Sequence, residues 1–173
     1  MLPIEHFIVA LLPVVGYVLV RDRRLPTLQL VAIVFVGSQF PDLIDKPLAH
    51  QFQLLPNGRV FMHSLPIAVP FLCLVGLYGR KTERPRPAGA FAFAHLSHIV
   101  ADNRRALLSS DPTVPSDMLW PLRPVIQRPM VPHWAGEGSI NVHLWTAFAA
   151  VVLAISAYYL YVDVDDHLRG GRS

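Results

Sequence analysis

The sequence predicts an all-α, polytopic membrane protein, a bundle of about five transmembrane helices with a Pro-rich loop before the last. Three observations carry that expectation. The 173 residues are 53% hydrophobic and only 16% charged, whereas roughly a quarter of residues are charged in an ordinary soluble domain. Five apolar stretches each approach the roughly 20 residues with which a helix crosses the hydrocarbon. The basic residues stand in short clusters between those stretches, which fits membrane topology better than a nucleic-acid surface, although the formal charge is +3. One unit is expected at this length: a single transmembrane domain over 1–162, then a polar C-terminal tail at 163–173.

The first stretch, residues 4–20, does not read as a cleavable signal peptide. Glu5 and His6 precede its apolar run and Arg21, Arg23 and Arg24 follow it, the reverse of a signal's charge order. The second is expected over 25–44, ending near Pro41, Asp42 and Asp45. Residues 46–59 read as a short re-entrant or interfacial connection. The third covers 60–79 and the fourth 88–108. Pro13, Pro66 and Pro70 fall within these spans, and membrane helices accept prolines as kinks. The single cysteine, Cys73, forms no intrachain disulfide and is expected to be a small buried apolar residue. A long loop over 111–138 is rich in proline and carries Trp120 and Trp134, which suit the membrane interface. The fifth span is expected over 140–162.

Loop charges set the orientation. Arg21, Arg23, Arg24, Arg80, Lys81, Arg84, Arg86, Arg169 and Arg172 fall on one side; Lys46, Arg59, Arg104, Arg105, Arg123 and Arg128 fall on the other. The side richer in Lys and Arg is expected to be cytoplasmic, so the N-terminus is placed outside and the C-terminus inside a cell membrane.

Under that topology His6, Asp42, Asp45, His63, His98 and Asp102 all approach the outer face. Asp42 and Asp45 are three apart, and His98 and Asp102 four apart, so each pair shares a helix face. His95 shares the second stripe but lies about 10 Å from Asp102 along the axis, which places it behind the site or at a deeper one. Singly these residues have bland readings. His6 can be interfacial, Asp42 turn chemistry after Pro41, and Asp45 with Lys46 a surface pair. His98 and Asp102 within an apolar run resist such a reading, because ionisable groups inside a membrane are costly and usually mark a functional site. Imidazole with carboxylate suits a divalent ion such as zinc, manganese, iron or magnesium. Three or four ligands hold one ion, and six leave room for a two-metal hydrolytic centre. Arg59 and Ser64 flank His63 and suit an anionic oxygen.

Four stretches occur in order: Pro41-Asp42-Leu43-Ile44-Asp45, Arg59-Val60-Phe61-Met62-His63-Ser64, Ser97-His98-Ile99-Val100-Ala101-Asp102 and Leu119-Trp120-Pro121. On these the chain resembles the YdjM-like family of small membrane-bound predicted metal-dependent hydrolases. That family has a His in its first helix, then PD-(I/L)-D, HRGxTHS, SHxxAD and LLWP stretches. The resemblance implies a metal-dependent hydrolase site built from His6, Asp42, Asp45, His63, His98 and Asp102. The chain departs from the pattern in several places. Asp45 stands one residue later than the commonest form, and Gly58, Val60 and Met62 replace the His, Gly and Thr of the third stretch. The loop between Asp102 and Trp120 is longer. One-metal and remodelled two-metal sites are both compatible with these changes.

The functional expectation is hydrolysis of an ester or phosphoester in a lipid-linked substrate at the outer membrane face. Asp42 or Asp102 would act as general base if it is not fully engaged as a metal ligand, with Arg59 and Ser64 on the substrate. A non-catalytic metal-binding membrane protein, or an ion or proton transporter, is the alternative. A purely structural role ranks last, since interhelical hydrogen bonds worth about 0.6 to 2 kcal/mol do not require six Asp and His residues.

Overall fold

A computed structural model of the chain describes residues 3–125, together with Ala154 and Tyr158. The rest of the fifth expected span and the expected tail lie outside the described residues. The described residues form four α-helices and no strand: α1 (Pro3–Asp22), α2 (Leu28–Lys46), α3 (Leu65–Lys81) and α4 (Pro85–Leu107). Short turns join α1 to α2 and α3 to α4. A longer connection between α2 and α3 begins with a single π-helical turn, Pro47–Gln51. Two contacts mark the ends of the bundle, His6 with Asp102 at one and Asp22 with Arg86 at the other.

Local sequence supports the helix starts. The Thr27 hydroxyl accepts the Leu30 N–H, a cap on α2 worth about 1 kcal/mol. Pro66 and Pro85 sit in the first turns of α3 and α4, where a missing N–H costs nothing. Pro66 is therefore a helix starter here and not a mid-span kink.

α4 touches each of the other three helices, most extensively α2. Gly37 makes that approach close: a Cβ there would lie 2.8 Å from the Phe91 carbonyl oxygen and 3.1 Å from Ala94 Cβ. Small residues let helix backbones meet in this way in membranes. Ala10, Val14, Val18, Val34 and Ala94 form the apolar core beside this contact. Outward faces are apolar too. Ile8, Leu12, Leu74, Leu77 and Val100 are all exposed, a pattern unfavourable in water and natural against lipid.

Among the described residues, two helical stretches are long and apolar enough to cross a membrane, Pro3–Asp22 and Leu28–Gln51. α3 has 17 residues because it begins at Leu65 and not at 60. α4 is long, but His95, His98 and Asp102 lower its hydropathy. The polar constellation contributes to both shortfalls: His63 stands in a loop ahead of α3, and His98 and Asp102, with Arg86, Arg104 and Arg105 towards the ends, interrupt the apolar run of α4. Cys73, expected to be buried, is exposed on α3.

Candidate metal centre

Three elements and a loop converge at the end of the bundle where α1 begins and α4 finishes. α1 brings His6, α2 brings Asp42 and Asp45, the loop before α3 brings His63, and α4 brings His98 and Asp102. All are almost completely buried apart from the edge of Asp102. Ligating atoms of Asp42, His63, His98 and Asp102 lie within 4.8 Å of one another.

The chain presets the hydrogen-bonding state of both central imidazoles. His63 Nδ1 lies 2.8 Å from Asp45 Oδ2, and a carboxylate oxygen accepts, so this nitrogen carries the proton. His98 Nδ1 lies 2.5 Å from the Ser38 carbonyl oxygen, which can only accept. In the neutral rings both Nε2 atoms are therefore bare lone pairs, and they face each other at 3.1 Å.

The carboxylates add two further electron-pair donors. Asp42 Oδ1 is buried and lacks a hydrogen-bond partner. It lies 3.5 Å from His63 Nε2 and 3.7 Å from His98 Nε2. Asp102 Oδ2 lies 3.8 Å from each of the same nitrogens. The two imidazole nitrogens and Asp42 Oδ1 thus converge with no proton assigned between them, and Asp102 Oδ2, also reached by Arg59 Nε at 3.3 Å, completes a set of four donors that favours a cation. Their separations of 3.1 to 3.8 Å suit donors around an ion bound at about 2.0–2.2 Å. The residues fit a divalent metal.

Neighbouring groups hold the four in place. Lys46, buried and one turn beyond Asp42, donates to Asp42 Oδ2. His6 Nε2 lies 3.1 Å from Asp102 Oδ1, and the His6 ring stacks on His98 at 3.9 Å between centroids. Arg59 Nε lies 3.3 Å from Asp102 Oδ2, with the Arg59 side chain 42% exposed, so its guanidinium borders both the centre and the outside.

Asp45 and Ser64 serve differently from the expectation. Asp45 accepts the backbone N–H groups of Phe61 and Met62 at 3.0 and 2.7 Å as well as the His63 ring. Its carboxylate is thereby committed to holding the loop, and it stands outside the four-residue group. Ser64 is the N-cap residue of α3, and its hydroxyl donates to the Phe61 carbonyl. His95, placed behind the site by helix counting, donates from Nε2 to the Met62 carbonyl at 3.0 Å among Phe40, Phe71 and Phe91. Met62 is thus clamped from both sides, which fixes His63. The role of Lys46 was missed because Asp45 and Lys46 read as a surface pair. The i, i+4 spacing from Asp42 was the signal for it.

No curated protein and no solved structure matches the chain. A family model described as "YdjM inner membrane protein" matches residues 1–165, and the chain belongs to that family.

Proposed function

From membership of the YdjM inner membrane protein family and the geometry of the buried His/Asp cluster, we propose a membrane-bound metal-dependent hydrolase. Asp42, His63, His98 and Asp102 would hold the ion, with zinc, manganese and magnesium all compatible with mixed imidazole and carboxylate donors. Such an ion would supply Lewis-acid polarisation of the carbonyl or phosphoryl oxygen and make water more acidic. The observation that carries the reading is the pair of bare imidazole nitrogens 3.1 Å apart beside the orphaned Asp42 oxygen.

The chain's own groups have distinct roles in this proposal. Asp45 and Ser38 orient the two imidazoles, and Lys46 leaves one oxygen of Asp42 for the centre. Arg59 binds an anionic oxygen of the substrate with the donors that Asp102 does not use. Asp42 or Asp102 would accept the proton only where it is not fully engaged as a ligand, because Lys46 and His6 already hold their second oxygens. His6 holds Asp102 from behind.

The substrate is an ester or phosphoester in a lipid-linked molecule. The loops at the site end support this, because they expose Phe52, Leu54, Leu108, Val114 and Leu122. Apolar side chains there suit the boundary between headgroups and acyl chains. We place this end outside and the C-terminus in the cytoplasm, with α3 and α4 crossing beside α1 and α2.

A second reading, non-catalytic metal binding, draws on the four protein donors, because a tetrahedral ion with four protein ligands has no open position. Two experiments in sequence separate the readings. Metal analysis of the wild type beside His98→Ala tests the centre, with bound metal expected only in the wild type. A panel of membrane lipids, with metal supplied, tests hydrolysis. Stoichiometric metal with no product from any lipid would favour the second reading.

A further inference from the structure

At the end of the bundle opposite the metal centre, α1, the start of α2 and α4 line a cavity of about 730 Å³. Arg21 lies fifteen residues beyond His6, about 22 Å along α1. The cavity is chiefly apolar, walled by Val14, Tyr17 and Val18 on α1 and by Ala90 and Phe93 on α4. Its mouth is basic. Arg21, Arg24 and Arg86 line it, and Asp22 is the one acidic residue among the lining residues. Both Asp22 oxygens are engaged by Arg86, at 3.0 and 3.4 Å. Arg21 is steadied by the Tyr17 hydroxyl at 3.0 Å and by the Tyr17 ring.

From this charge distribution we infer that the cavity is a binding site for an anionic phospholipid. An acyl chain would lie against Val14, Val18 and Phe93, and the phosphate would meet Arg21 and Arg24 at the mouth. An apolar wedge with a cationic rim at helix ends matches both halves of such a molecule. A soluble anion would leave the apolar walls unmatched, and a zwitterionic lipid would bring its own cation to three arginines. The Asp22–Arg86 fork ties α1 to α4 at the lip and sets the width of the opening. The site is separate from the metal centre and does not depend on its occupancy.

Full-length protein, delipidated in detergent, would be offered equal amounts of phosphatidylglycerol and phosphatidylcholine in mixed micelles. Native mass spectrometry then counts the lipid retained. Preferential retention of phosphatidylglycerol is expected. Each arginine contributes about fivefold to affinity for an anionic surface, so Arg21→Gln with Arg24→Gln should weaken retention roughly 25-fold. Gly89→Phe tests the apolar half independently. Gly89 lines the cavity and a Cβ there meets nothing within 4 Å, so the ring can fill the wedge without disturbing α4. Loss of retention in that variant, with helicity and elution unchanged, is expected. Equal retention of the two lipids would overturn the inference, as would full displacement by millimolar inorganic phosphate or unchanged retention in Gly89→Phe. A dimer that Gly89→Phe dissociates, with no lipid bound, would make the groove a contact between copies and would also overturn it.

Discussion

His63 Nε2 and His98 Nε2 face each other at 3.1 Å, although each ring already donates from its Nδ1 to an acceptor fixed elsewhere in the fold. One donor is on a loop and the other on a helix 35 residues away. The contact between them is unfavourable for two neutral rings and favourable around a cation. That relationship connects the packing of the bundle to its chemistry.

The first prediction concerns linkage between metal and stability. A ligand bound only by the folded state stabilises it by about 2.7 kcal/mol at a hundred times its dissociation constant. Chelation should therefore lower the unfolding temperature of the wild type, and added zinc or manganese should restore it. His98→Ala should respond to neither treatment. Thermal unfolding in detergent checks this, and a chelator-insensitive wild type would count against the centre.

Asp45 and the ligands should separate by degree. Asp45→Asn leaves the four donors in place but weakens the grip on His63 Nδ1 and on the Phe61 and Met62 amides. Loss of such an orienting partner typically costs about 10- to 100-fold in metal affinity. Asp42→Asn and His63→Ala should instead abolish stoichiometric binding. Competition titration with a chromogenic chelator distinguishes them; equal losses in all three would make Asp45 a ligand.

Gly37 should be intolerant of any side chain. A Val there drives its Cβ toward the Phe91 carbonyl and Ala94, and overpacking of this kind costs about 1–3 kcal/mol. Because α2 and α4 carry Asp42 and His98, metal affinity should fall with stability in Gly37→Val. Gly16→Ala, where a Cβ meets nothing within 4 Å, is the control and should leave both unchanged.

Arg59 should affect the substrate more than the metal. Its guanidinium reaches Asp102 yet its side chain is 42% exposed. Arg59→Gln should retain metal but raise KM for a phosphoester lipid, and Arg59→Lys should recover only part of the loss, because an ammonium cannot form the bidentate fork. Steady-state hydrolysis with parallel metal analysis checks the split. Metal loss equal to that of His98→Ala would assign Arg59 a structural role.

Much of the site is legible along the chain because its residues break a strong pattern. His98 and Asp102 interrupt an apolar helix, and their i, i+4 spacing places them on one face before any fold is known. Asp42 is similarly exposed by its position at the end of a span. The start of α3 was not legible. Residues 60–64 continue the apolar run as sequence, but Asp45 draws the amides of Phe61 and Met62 into a loop, so the helix begins at Leu65. Cys73 illustrates a related limit: a membrane helix is apolar on both its lipid and protein faces, and composition does not say which face a small residue occupies.

By itself the sequence determined an all-helical membrane protein of this family with costly Asp and His residues gathered near one end of its helices. Helical periodicity and the expense of polar groups in hydrocarbon are local properties, and they can be read locally. Only the tertiary structure decided which of those residues share a centre, that Asp45 holds the loop, and that Lys46 and His95 support the cluster. Those assignments depend on which lone pairs remain after every neighbouring carbonyl, amide and carboxylate has been satisfied. That count exists only once Gly37 has brought α2 and α4 together.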